Sequence, residues 1–82
     1  MKTFIPFQIN RREAILISTI KEPIMQTMVF RAKLRMFSQE NFVVDYEHPA
    51  TKYTKKHETM SDAIDYHVSL IKKLSLLRIH DI

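Results

Sequence analysis

Four histidines, His48, His57, His67 and His80, are the first residues to test for chemistry, and no two of them stand at the short spacing used by helical or finger-type zinc sites. No metal site is expected. Asp45 and Glu47 alternate along one stretch and have the types needed for paired acid and base work, but the strand pairing derived below gives each a cationic partner. Ser38, Ser61 and Ser69 lack a glycine elbow, and the nearest histidines belong to other elements, so a nucleophilic triad has no support. The chain contains no glycine at all, which excludes a P-loop or a dinucleotide-binding turn. His67 falls on the apolar face of a helix and reads as a core-edge residue holding one hydrogen bond. The expectation is a protein that is not an enzyme, with no catalytic residue, no cofactor and no small-molecule substrate.

The cations are more informative. Thirteen Lys and Arg against nine Asp and Glu give a net charge of +4, a bias toward phosphates, anionic lipid or an acidic protein surface. Those to which the pairing scheme assigns no local carboxylate, a contact between Lys52 and Glu47 apart, are Arg11 and Arg12, the group Lys52, Lys55 and Lys56, and the pair Lys72 and Lys73. Nucleic acid or a ribosome would use such a footprint. Met25, Met28, Met36 and Met60 could form an adaptable binding surface, but Met28 and Met36 fall on the apolar face of a strand, where core filling is their expected role.

The element that must position these groups is Thr27–Phe37, which alternates with a period of two over its whole length. Met28, Phe30, Ala32, Leu34 and Met36 point to one face, and Thr27, Arg31, Lys33 and Arg35 to the other. A strand facing a core with its even residues is expected. Phe42–His48 alternates again, with Phe42, Val44, Tyr46 and His48 on one side. If these share a face with Leu34 and Met36, even positions pair with even ones. Leu34 then faces Tyr46, Met36 faces Val44, Lys33 faces Glu47 and Arg35 faces Asp45, across a three-residue loop, Gln39 to Asn41, whose last residue tolerates a left-handed backbone.

Before this hairpin, residues 3–9 place Ile5, Phe7 and Ile9 on one face of a strand with Pro6 at an edge. Residues 10–22 can be read as helix or strand. Asn10 and Glu13 have the spacing of a capping box and Pro23 a stop, which favours the helix, whereas Ile15, Ile17, Thr19 and Ile20 are β-branched. After the hairpin, His48–Thr51 makes a turn and Lys52–His57 a lysine-rich edge strand. Thr59 to Asp62 opens an amphipathic helix running to about Leu77, with Ala63, Ile64, His67, Leu70, Ile71, Leu74 and Leu77 on its apolar face. Arg78 and His80 lie at or past its end.

The chain of 82 residues predicts one α+β domain, residues 1–82. Its two layers are an antiparallel sheet and a C-terminal amphipathic helix packed on one face, in the order β-α-β-β-β-α. Cysteine is absent, which suits a reducing cytoplasm. Neither a signal peptide nor an apolar run long enough to span a membrane is read, and the expected location is cytoplasmic.

That order of elements resembles two RNA-associated folds, the double-stranded RNA-binding domain and the ribosome hibernation promoting factor family. The second resemblance has residues behind it: FVVDYEHPATKYTKKHETMSDAID, from Phe42 to Asp65, is similar to the last hairpin and helix start of hibernation factors, with Ala63-Ile64-Asp65 at the matching helix position. The resemblance covers about half of the chain and implies binding of the small ribosomal subunit through basic side chains, with a block of translation. The glycine-rich hairpin and last-helix lysine cluster of the double-stranded RNA-binding domain are not reproduced. A different class of function fits the same composition: a small inhibitor or modulator of a single protein target, such as a phage-encoded host-takeover factor, acting through a sheet edge or helix face.

Overall fold

The structure is a computed structural model that describes residues 1–7, 12–37 and 42–76. It comprises strands β1 (Lys2–Pro6), β2 (Glu13–Ile20), β3 (Gln26–Phe37) and β4 (Phe42–Pro49), a 3-10 turn at Thr51–Tyr53, a short β5 (Lys55–Lys56) and helix α1 (Met60–Leu74). All pairings are antiparallel, in the order β1-β2-β3-β4, and β5 joins β3 at Gln26 and Thr27, ahead of the stretch that β4 occupies. The expected α+β class, an antiparallel sheet with one C-terminal helix on it, is therefore observed.

The order of elements is corrected at one place: Glu13–Ile20 is a strand, not a helix. Six consecutive residues, Ala14 to Thr19, are buried, as befits a central strand covered on both faces. Ile15 and Ile17 pack under α1, while Ala14 joins a second cluster with Ala32 and Leu34 on the other face. β-Branched side chains suit such a pleated position, and this outweighs the capping-box spacing. Glu13 does not cap a helix; it receives a hydrogen bond from Arg31. Asn10, Arg11 and Ile9 lie outside the described residues.

The β3–β4 register is also corrected. Lys33 stands opposite Tyr46, Ala32 opposite Glu47 and Arg31 opposite His48, so odd positions pair with even ones. Leu34 then faces Val44, and Met36 faces Val43. The ladder shifts twice: Asp45 is passed over in β4, and Arg35 in β3. An extra residue on one strand, followed by one on the other, restores the original offset. This pair of irregularities lets Val44 reach the Leu34 face while Tyr46 lies with Lys33, a combination unbroken alternation does not permit. The ladder ends with Phe37 opposite Phe42, not the pairing a three-residue loop needs; the loop residues, including Gln39 and Asn41, lie outside the described residues.

The helix covers the odd-numbered face, the reverse of the face expected for β3. Ile15, Ile17, Val29, Tyr53, Leu70 and Leu74 form the main core, with Ile5, Phe7, Ala50, Tyr66 and Ile71 packed around it. Full burial of each aliphatic side chain contributes about 1.5–3 kcal/mol. Leu34 is buried too, but with Phe4 and Val44 in the second cluster, away from Leu70 and Leu74. Thr59 caps α1 by accepting from the Asp62 N–H at 3.1 Å, as its sequence position predicts. The buried stripe is Ala63, His67, Leu70 and Leu74; Ile64 is exposed, and Leu77, Arg78 and His80 lie outside the described residues.

The lysine-rich strand is shorter than expected. Thr51–Tyr53 turns inward so that Tyr53 is buried, and only Lys55 and Lys56 pair with the sheet. Among the described residues no helix is long and apolar enough to cross a membrane.

One polar line runs beneath α1. His67, almost wholly buried, bonds Thr3 Oγ1 through Nε2 (2.8 Å) and Thr19 Oγ1 through Nδ1 (2.7 Å), so it holds two hydrogen bonds where one was expected. Thr19 Oγ1 contacts Thr27 Oγ1 at 2.8 Å, and Thr27 Oγ1 contacts His57 Nε2 at 2.8 Å. The Met1 ammonium donates to the Thr19 carbonyl. Among the described residues every buried side-chain polar atom has a partner.

Candidate nucleic-acid interface

Strand β3 organises a row of cations and rings along the helix side of the sheet. At Thr27 it pairs with Lys55; at Val29 its carbonyl accepts from the Ala50 N–H at 2.8 Å, which anchors the turn bearing Lys52 and Tyr53. At Arg31 and Lys33 it faces His48 and Tyr46, and directly opposed residues share a face. From Thr27 to Lys33 this row spans about 20 Å at ~3.3 Å per residue.

Within it, lysines stand over tyrosine rings. Lys55 Nζ lies 5.2 Å from the Tyr66 centroid, while Lys52 and Lys73 lie 5.2 and 5.6 Å from that of Tyr53. Lys33 Nζ is 5.6 Å from the Tyr46 centroid. Such contacts are worth about 0.5–1 kcal/mol when exposed and do not neutralise the charge. Tyr66 locks two of the positions together by donating its hydroxyl to the Tyr53 carbonyl at 2.7 Å. Burial, with a smaller contribution from Tyr53, raises the Tyr66 pKa above its ordinary value, so this hydroxyl keeps its proton at neutral pH.

At the β4 end, Glu13, Arg31, Ala32, Lys33, Tyr46 and His48 line a cleft of about 340 Å³. Arg31 Nη2 donates to both Glu13 oxygens, at 3.1 and 3.4 Å. Tyr46 and His48 meet edge to face, centroids 4.9 Å apart and planes at 84°. A larger cleft of about 600 Å³ lies between β5 and α1, but Glu58, Asp62 and Asp65 line it beside Lys55 and Lys56. Those carboxylates offset the lysines and make it a poor seat for a phosphate chain.

Of the cations singled out from sequence, Lys52, Lys55 and Lys73 are brought onto the Tyr53–Tyr66 pair. Lys56 is exposed on β5, and Lys72 is exposed on α1. Arg12 lies ahead of β2, where its carbonyl accepts from the Leu34 N–H at 2.6 Å, and Arg11 lies outside the described residues. The groups missed are Arg31, Lys33, Tyr46 and His48. The expected register assigns Lys33 to Glu47 and so leaves it out of the candidate site; neither that ion pair nor one between Arg35 and Asp45 forms among the described residues. The signal was present, since Arg31 and Lys33 on one strand, and Tyr46 and His48 on the next, alternate with the same period. Among the described residues no group of three or more His, Cys, Asp or Glu is placed to hold a metal ion.

Compared with known proteins, the chain matches no family model, no curated protein and no solved structure.

Proposed function

We propose that this protein is a small non-enzymatic RNA-binding module with a regulatory role in translation, acting in the cytoplasm. The observation that carries the reading is the row of cations set beside aromatic rings on one side of β3: Lys55 at Tyr66, Lys52 and Lys73 at Tyr53, Arg31 at His48, and Lys33 at Tyr46. Positive charge that tracks a backbone, interleaved with π-faces, is what a single nucleic-acid strand requires. The ribosomal part of the reading leans on the likeness of Phe42–Asp65 to hibernation factors. The element order no longer contributes to it, because the second element is a strand.

The experiment is binding to ribosomal RNA across a salt series, with the natural chain and with Lys52→Ala/Lys55→Ala/Lys56→Ala. Each phosphate contact releases counterions, so affinity falls steeply with salt and the triple variant flattens the slope. Undetectable binding at low salt sinks the reading.

A second reading, a modulator of one protein target, is favoured by Met60, Ile64 and Val68. They repeat every four residues on one flank of α1 and are 45, 43 and 43% exposed. An apolar flank of that kind suits a protein groove and gives a shallow salt dependence.

A further inference from the structure

We propose that the cleft between β2, β3 and β4 takes an unpaired nucleobase, so that the RNA bound is single-stranded; this rests on the RNA-binding reading above. The base lies against Tyr46 in the corner made with His48, and its flanking phosphates lie on Lys33 and Arg31.

Four observations support the placement. Tyr46 is 45% exposed on a strand whose neighbours form the floor of a cleft, so its ring is presented rather than packed. The ring planes of Tyr46 and His48 meet at 84° with centroids 4.9 Å apart, which gives two perpendicular walls of a corner and not a flat shelf. The cleft, about 340 Å³, is at the lower end of the roughly 300–1,000 Å³ usual for small-ligand sites. Finally, Arg31 spends one nitrogen on Glu13, and its other guanidinium donors have no partner among the described residues.

The chemistry then selects the form of the nucleic acid. In a duplex the base faces are covered by their neighbours, and the deep, narrow major groove of A-form RNA is closed to side chains. A tyrosine flanked by Lys33 and His48 offers its ring to a base that has left the stack, whereas a base held between its neighbours in a duplex has no free face to place against it. Glu13 sits at one end of the same cleft as an acceptor for an exocyclic amino group, which gives preference to bases that carry one. The 600 Å³ cleft at α1 is the rival position, and its three carboxylates repel a phosphate chain.

The test is fluorescence anisotropy with a single-stranded RNA of about 12 nucleotides, within the usual site-size range, and with the duplex it forms with its complement. Tyr46→Leu, which keeps bulk and removes the π-face, and Tyr46→Ala are compared with Tyr46→Phe and with Lys55→Ala/Lys56→Ala. The expected result is a loss on the order of tenfold in single-strand affinity for Tyr46→Leu and Tyr46→Ala, with the salt slope unchanged and Tyr46→Phe retaining binding. Duplex affinity stays the same in all three Tyr46 variants. Thermal unfolding of each variant confirms that the exposed site has been changed without loss of the fold. Single-strand affinity within twofold of the natural chain in Tyr46→Leu, together with weaker binding by the lysine variant, overturns the nucleobase site and leaves RNA binding standing. No binding of either RNA by the natural chain overturns both.

Discussion

His67 and His57 are joined by one hydrogen-bonded line that crosses the sheet through Thr19 and Thr27, and His67 carries it on to Thr3. The three contacts between the histidines, His67–Thr19, Thr19–Thr27 and Thr27–His57, each need one proton, and the two hydroxyls supply only two. At least one of the two histidines must therefore donate into the line, which links their tautomers through Thr19 and Thr27. Thr19→Val keeps the shape and removes the middle oxygen, leaving His67 Nδ1 and Thr27 Oγ1 without that partner. A loss of about 1–3 kcal/mol in chemical denaturation is expected; a neutral result would mean that the line is replaced at no cost.

The same histidine makes stability depend on pH. Burial, and then the positive N-terminus, lower the His67 pKa below its ordinary 6.5, so the folded state favours the neutral ring. The unfolded chain takes up a proton first as pH falls. The contribution of neutral His67 is thus fully present above 6.5 and is lost as pH drops through that value toward the folded pKa. The denaturation midpoint should fall between about pH 7 and about pH 5. His67→Gln should flatten this dependence, and an equal pH dependence in that variant would assign it to other groups.

Glu47 stands opposite Ala32 rather than Lys33. Glu47→Lys should accordingly change stability by no more than about 0.5 kcal/mol, the range of an exposed substitution without a partner. Under even-with-even pairing the same change sets two cations directly opposite each other, which is destabilising. Nuclear Overhauser contacts from Lys33 to Tyr46, and not to Glu47, check the register independently.

How much of this was legible follows from what periodicity can carry. The Thr27–Phe37 strand and the Thr59 cap depend on local patterns and were readable. Residues 13–20 were not, because a continuous apolar run satisfies a buried helix and a strand buried on both faces equally; only the neighbours β1 and β3 decide. The β3–β4 register failed for a different reason. Alternation transmits face information only through an unbroken ladder, and the extra residues Asp45 and Arg35 interrupt it. That single error hides Lys33 and Tyr46 from the candidate site, while the lysines near Tyr53 and Tyr66 are picked out because the pairing scheme assigns them no cross-strand carboxylate.

Leu74→Ala and Leu34→Ala probe the two faces of the sheet. Leu74 is 1% exposed under α1, and Leu34 is 3% exposed in the separate cluster with Ala14 and Ala32. Each truncation should cost about 2–5 kcal/mol. Because the clusters share no member, the double variant should lose close to the sum of the two. A Leu74→Ala cost under about 1 kcal/mol would show that the helix is not docked as described.

Lys72 and Lys73 are adjacent in sequence but not equivalent in space. At 3.6 residues per turn, Lys72 lies about 200° from both Leu70 and Leu74 and so points away from the sheet. Lys73 turns toward the side on which its Nζ lies over the Tyr53 ring, beside Lys52. An RNA strand following the β3 row therefore meets Lys73 and misses Lys72. Lys73→Ala should weaken RNA binding and reduce the magnitude of the salt slope by about one contact's worth, whereas Lys72→Ala should leave both unchanged. Equal effects of the two substitutions would indicate diffuse attraction to the charge of the helix rather than a track along β3.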